Sequence, residues 1–316
     1  MQQKIPGVRT CNLCGNNDSK PLFHGNIGND VGVRFSQYAY YDDIYRCNNC
    51  RLVAQRQLYD GEAIKQFLQE EKYLDETIGN LNLVEKHFQF NVLTKIIEKY
   101  TTLEDQELLD VGANTGVFLA SVKDRVKTAQ GIEASEEAAK AAQTIHGIDV
   151  QSGLIADVDL PDEKFYIITM FDVVEHLTDP MNDLKILNRK LKSGGKIFIT
   201  THDIETLLAK IFSRHNPMFM YQHFFHFSLQ TLSKMLEASG YKIVGFKRFF
   251  KSWSFEYLFH LVEKLWPGTI FASTIQLVLR PFFRIKFIRK LRIVSPQRNF
   301  FMLIAEKPNT NNGEID

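Results

Sequence analysis

The chain has no surplus charge, no long apolar run, and no cysteine beyond residue 50 of its 316. Lys and Arg number 38 against 37 Asp and Glu, a net charge of +1, so no whole-chain attraction to nucleic acid or lipid is implied. The longest charge-free apolar run, Leu265–Leu279, has 15 residues and is broken by Pro267-Gly268. A bilayer-crossing helix needs roughly 18 or more. Met1–Gly7 has no apolar stretch of the kind a secretory leader carries, so a cytoplasmic protein is expected. No repeat is present, and the polar tail 309–316 is expected to be disordered. The dinucleotide fingerprint G-x-G-x-x-G is missing too: after Gly112 the middle position is Asn114 and the third is Val117.

What stands there instead is Leu108-Leu109-Asp110-Val111-Gly112-Ala113-Asn114-Thr115-Gly116. It reads as a buried strand, a small-residue turn whose N–H groups approach a ligand, and a helix from Val117. Asn114 tolerates the left-handed backbone that a glycine would have supplied. Glu133 follows 23 positions after Asp110, where a second parallel strand should end and a carboxylate can accept both ribose hydroxyls. Asp110 would repel a pyrophosphate and suits an ammonium group. A ribose at one end and an amine at the other describe S-adenosylmethionine. For the turn taken alone, an ordinary strand–turn–helix without ligand is the alternative.

The four cysteines form two knuckles, Cys11-x-x-Cys14 and Cys47-x-x-Cys50, with 32 residues between them. That spacing suits four thiolates around one zinc in a small ribbon spanning 1–58, with strands expected in the aromatic stretch Phe35–Tyr45. Without an export signal, disulfides are the weaker reading. Four sulfurs leave no open coordination position, so the zinc is expected to be structural.

Helix-spaced apolar residues mark 60–77 and 83–101 as a helical connector or lid within 59–104. Strands are expected at 107–111, 128–133, 148–152, 165–171, 195–200, 241–248 and 299–306. Between some of them lie helices at 181–191, opened by Asp179-Pro180, and 229–238, capped by Ser228 and stopped by Gly240. Alternating strands and helices imply an α/β, doubly wound, mostly parallel seven-stranded sheet over 105–308. Residues 251–297 interrupt the rhythm between the last two strands with eight basic residues, two glutamates and dense aromatics. Two readings stay open for this insertion: a peripheral contact with anionic lipid or phosphate, and a helical lid with solvated cations.

These residues together resemble the class I S-adenosylmethionine-dependent methyltransferases. The ordered matches are Leu109–Gly116, Gly131-Ile132-Glu133, Phe171-Asp172-Val173-Val174-Glu175-His176, Leu191–Ile199 and His223-Phe224-Phe225-His226-Phe227-Ser228, within roughly residues 85–250. With its double knuckle the chain is similar to bacterial methyltransferases of sugars and cell-surface polysaccharides, and its core to ubiquinone-pathway O-methyltransferases. The resemblance implies that Asp110, Gly112 and Gly116 line the methionine end and that Glu133 holds the ribose, with Asn114 a further cofactor-binding candidate in the same turn. Leu154 flanks the adenine, and Phe171 and Asp172 close the pocket. It also implies that His223 and His176 lie near the methyl group as candidate bases. Departures are Asn114 for glycine, Tyr166 for aspartate at the fourth strand, and Arg51 for the glycine after the second knuckle. The sugar C-methyltransferases carry a longer C-terminal domain not seen in these residues, so transfer to oxygen, and after it to nitrogen, is expected rather than to carbon. The expected acceptor is a sugar, glycan or lipid-linked molecule, with a quinone-like lipid as the alternative. A catalytically silent binding protein is a third reading, and a nucleic-acid partner ranks last.

Overall fold

The computed structural model describes residues 10–25, 41–56 and 80–309, except 217, 221, 258, 260–269, 283, 284, 286, 289, 290 and 295–298. The helix expected over 60–77, most of 26–45 and the tail beyond 309 therefore lie outside the described residues, as does the ribbon boundary at 58.

Three short strands come first: β1 (Ser19–Phe23), β2 (Ile44–Cys47) and β3 (Val53–Gln55). Helix α1 (Asn80–Ile97) leads into the core. There β4 (Glu107–Val111), α2 (Val117–Val122), β5 (Thr128–Glu133), α3 (Glu136–His146), β6 (Asp149–Ser152) and β7 (Phe165–Phe171) follow. Next are α4 (Pro180–Lys190), β8 (Leu191–His202), α5 (Leu207–Phe212), β9 (Phe225–His226), α6 (Leu229–Ala238) and β10 (Lys242–Phe249). The insertion contributes β11 (Ser252–Ser254), α7 (Ile270–Leu279) and β12 (Arg292–Val294), and β13 (Phe300–Glu306) closes the fold.

The main sheet runs β10-β13-β8-β7-β4-β5-β6. Only β13 is antiparallel to its neighbours. Its central strands read as unbroken apolar runs because helices cover both faces: Leu108, Leu109, Phe165, Ile167, Ile168, Ile197, Phe198 and Ile199 are all fully buried. Strand β8 starts earlier than expected, because Gly194 at φ +74° forms a bulge that lets Leu191 pair with Phe165. The helix starts match the sequence signals. Asp179 accepts from the Asn182 N–H at 3.2 Å, and Ser228 and Thr231 cap each other reciprocally at the head of α6.

The described N-terminal strands are joined to the core. Their sheet runs β1-β2-β3-β9, so Phe225–His226 of the core supplies its fourth strand. The Gln55 side chain reinforces this join by donating to the carbonyls of Met220 and His223, each at 2.6 Å. Between the first two cysteines, Asn12 donates to the Asp179 carboxylate at 2.8 Å and accepts the Met181 N–H at 3.0 Å. The knuckle region thus grips both α4 and the histidine-bearing segment. Among the described residues, no helix is long and apolar enough to cross a membrane.

Candidate active site

A cavity of about 360 Å³ opens at the carboxyl ends of β4, β5 and β7, the crevice where parallel α/β sheets bind ligands. Asp110, Gly112, Asn114, Glu133, Leu154, Phe171, Asp172 and His176 all line it. Two expected residues do not. A Cβ on Gly116 would meet Ala142 at 2.9 Å, so this glycine serves the packing of the turn on α3. His223 lies behind His176, their ring centroids 4.7 Å apart.

The turn is shaped by left-handed residues: Gly112 at φ +73°, Asn114 at +51° and Gly116 at +74°. A side chain on Gly112 would lie 2.3 Å from a Val173 methyl. The expectation that the turn's N–H groups address a ligand is corrected. Gly112 and Ala113 donate to the Ile132 carbonyl, Thr115 to the Asn114 amide oxygen, and Asn114 to Glu133 Oε2 at 2.8 Å. Buried donors need partners, and here the turn and β5 provide them. Side chains, rather than backbone N–H groups, are left to meet the ligand.

Both carboxylates are nearly sealed from solvent. Burial, with Glu133 nearby, pushes the Asp110 carboxyl up to about 7 despite a 2.6 Å hydrogen bond from Thr169. Burial likewise raises Glu133, against the N–H groups of Ser135 and Asn114 that it accepts. Lys86 on α1 reaches over this pair. Its ammonium donates to Asn114 Oδ1 at 3.3 Å, and burial lowers it to about 8 against the pull of Glu133. Lys86, Gln89 and Phe90 make α1 a wall of the cavity. No sequence motif marks Lys86; only the docking of its helix reveals it. Asp172, at φ +55°, is bound to Lys251 at 2.6 Å and Thr200 at 3.1 Å. Phe171 packs on Phe118 and Phe90.

These groups suit S-adenosylmethionine on three counts. A small-residue cradle allows close approach, a buried carboxylate faces the cavity from each of two adjacent strands, and each Glu133 oxygen keeps a lone pair beyond its backbone bond.

His176 Nδ1 lies 2.9 Å from the Gln222 carbonyl. A carbonyl only accepts, so this nitrogen carries a proton, and in the neutral ring the lone pair lies on Nε2. His223 makes the same bond to Met218 at 2.8 Å. Behind them His202 Nε2 meets His226 Nδ1 at 3.3 Å, and His202 Nδ1 lies 3.9 Å from Glu175. Burial, and then His176, hold His223 well below the ordinary histidine value.

The four cysteine sulfurs lie within 4.8 Å of one another. Cys11 and Cys50 are 3.4 Å apart and Cys14 and Cys47 are 3.6 Å apart, far beyond a disulfide's roughly 2.05 Å. Two sulfurs on a tetrahedral zinc with 2.3 Å bonds sit about 3.8 Å apart. Each knuckle closes on a left-handed residue, Gly15 at φ +68° and Arg51 at +69°.

A family profile described as a methyltransferase domain matches residues 86–245, which span the cavity walls from α1 to β10. The ubiquinone biosynthesis O-methyltransferase of Pseudomonas entomophila (strain L48) is 30% identical over 112 residues, covering 33% of this chain and 48% of that protein. That of Idiomarina loihiensis is 30% identical over 113 residues, covering 33% and 46%. The chain thus spans about half the length of the curated relatives it matches. A candidate methyltransferase from Bacillus halodurans C-125 shares the fold at a TM-score of 0.51 and 21% identity, over 69% of this chain and 99% of that one.

Proposed function

The chain belongs to the methyltransferase domain family, and from that premise we propose that it transfers a methyl group from S-adenosylmethionine to a hydroxyl of a sugar, glycan or related small acceptor. The observation that carries this reading is the pair Asp110 and Glu133, two buried carboxylates lining one cavity. Glu133 would hold the ribose hydroxyls and Asp110 the ammonium group, with Gly112 in the cavity wall where its lack of a side chain admits Val173, and Leu154 and Ile155 flanking the base. The ligand supplies an electrophilic methyl on a sulfonium. For the rest, the protein has to align the acceptor, exclude water and accept a proton. His176 lines the cavity and is assigned as the base, Nε2 being the nitrogen that takes the proton in the neutral ring. His223 is reassigned from base to positioning residue, because it packs edge-on to His176 and does not line the cavity.

The sugar or glycan class is supported by the resemblance of the double-knuckle arrangement to polysaccharide-modifying enzymes. The quinone-like alternative is favoured by the names of the relatives matched across a third of the chain. We assign a structural zinc to Cys11, Cys14, Cys47 and Cys50 on their sulfur separations.

The test has two parts. Calorimetry with S-adenosylmethionine should show binding that Glu133→Ala weakens at least about tenfold, the loss of hydrogen bonds to a charged acceptor. Labelled methyl should then appear in a small glycan or glycolipid when the protein is incubated with a cell extract. No heat of binding would leave only a silent binding protein, and label in a quinone-like lipid would select the second acceptor.

A further inference from the structure

Behind the cavity lies a group of histidines that the proposed reaction leaves mostly unused. His202 ends β8, His226 belongs to β9 and His223 precedes that strand, so His223-Phe224-Phe225-His226 sets two of the rings three positions apart. All three are buried, and none lines the cavity. One ring nitrogen of each lies within 4.8 Å of the other two. Three imidazoles packed together out of water cannot all be charged, so neutral rings bring several lone pairs into one small space. Glu175, in the turn after β7, closes the group from another side. It is 3% exposed, and its Oε1 lies 3.9 Å from His202 Nδ1.

The hydrogen bonds inside this group are incomplete. Among the described residues, Glu175 Oε2, His202 Nδ1 and His226 Nε2 are buried without a partner, a costly arrangement for a carboxylate and two imidazoles. His202 Nε2 and His226 Nδ1 stand 3.3 Å apart. That is at the long end for a hydrogen bond. It matches two nitrogens on one tetrahedral zinc, which at 2.0–2.1 Å bonds sit about 3.3–3.4 Å apart. His223 Nδ1 is committed to the Met218 carbonyl, so Nε2 is its nitrogen free to bind. A ligating histidine normally gives its second nitrogen to a carbonyl or carboxylate in this way.

We propose that His202, His223 and His226 bind a zinc ion, with Glu175 as the outer partner of His202. In that arrangement His202 binds through Nε2 and turns its Nδ1 proton towards the carboxylate, which supplies negative charge beside a buried dication. His226 binds through Nδ1 and keeps its proton on Nε2. Closing the widest separation, 4.8 Å, to the zinc spacing takes about 1.5 Å, within the reach of imidazole torsions. Three imidazoles select a transition ion over magnesium or calcium, which take oxygen ligands. The ion ties the end of β8 to β9, the short strand that Val53 and Ala54 hold from the cysteine side. It also fixes the His223 ring on which His176 packs. Lying outside the cavity, it positions His176 and touches neither cofactor nor acceptor. Its binding does not depend on the methyl-transfer reading.

The test counts metal in the full-length protein. Wild type and the double variant His202→Gln/His226→Gln are saturated with zinc, freed of unbound ion by gel filtration and analysed by mass spectrometry. The variant should hold about one zinc per chain fewer than the wild type. Cadmium-113 NMR of the cadmium-loaded wild type, which reads ligand type from chemical shift, should show a nitrogen-rich resonance distinct from any sulfur-rich one. That measurement requires no variant to fold. A variant that unfolds cooperatively on heating yet keeps the wild-type zinc content overturns the proposal. So does a wild-type cadmium spectrum with a sulfur-rich resonance alone. Nitrogen-15 NMR of the zinc-saturated wild type showing His202 as an imidazolium paired with Glu175 overturns it as well. Loss of methyl transfer with the zinc count intact bears on the reaction and leaves this site standing.

Discussion

Asp110 ends β4 beside Glu133, nearly sealed from water, with Thr169 as its hydrogen-bond donor. Its carboxyl, raised to about 7 by burial and Glu133, binds a proton in the folded empty protein at pH values where the unfolded chain has lost it. That contribution to stability is full below about pH 4, the unfolded value, and is lost as pH rises towards 7. Asp110→Asn should therefore raise the stability of the empty protein at pH 8 by about 1–3 kcal/mol in urea titrations, while abolishing cofactor binding. An ammonium partner selects the ionised carboxylate, so cofactor affinity should fall as pH drops below 7. Calorimetry at pH 6 in buffers of different ionisation enthalpy should record proton release on binding. Arg51 is strained in the opposite sense: it holds φ +69° where its twin knuckle has Gly15. Arg51→Gly should stabilise the protein by about 0.5–1 kcal/mol, since the ion pair lost, to Glu205 at 3.9 Å, is exposed. Residues tied to a motif were legible in the sequence. Lys86 was not, because one lysine on a helix has no signature until the helix docks. Gly116 was misread, because spacing alone does not tell a glycine facing a ligand from one facing α3.

Among the elements, the core strands were legible to within a residue at most ends, since a sheet covered on both faces writes itself as apolar runs. Helix α6 was legible from its caps, and its capping box gives a direct check. Ser228→Ala should cost about 1 kcal/mol in chemical denaturation, with Ser228→Asp restoring most of it. Strand β9 was invisible. Its pairing, Val53 with His226 and Ala54 with Phe225, involves too few residues to leave a period. Yet it joins the cysteine region to the segment that carries His223, and Gln55 secures the join through the Met220 and His223 carbonyls. Gln55→Ala should thus lower kcat at least about fivefold while leaving cofactor affinity unchanged. Buried carbonyls left without donors would let the histidine segment shift. A parallel fall in both quantities would show a general loss of folding instead.

At the scale of the molecule, three parts converge on one crevice. The sheet presents Asp110 and Glu133, α1 lays Lys86 over them, and the cysteine-held strands brace the segment behind His176. If the four cysteines hold the proposed zinc, a chelator should depress turnover before it abolishes cofactor binding, with metal content followed by mass spectrometry. The insertion extends the same construction outward, being tied to the crevice through Lys251 and Arg292. All of this depends on a nucleoside lying between the two carboxylates. The most direct measurement is a crystal structure of the protein with S-adenosylhomocysteine. Both ribose hydroxyls should lie within about 3 Å of the Glu133 oxygens, with the amino group turned towards Asp110. A nucleoside bound elsewhere, or bound in this cavity without contact to Glu133, would contradict this placement.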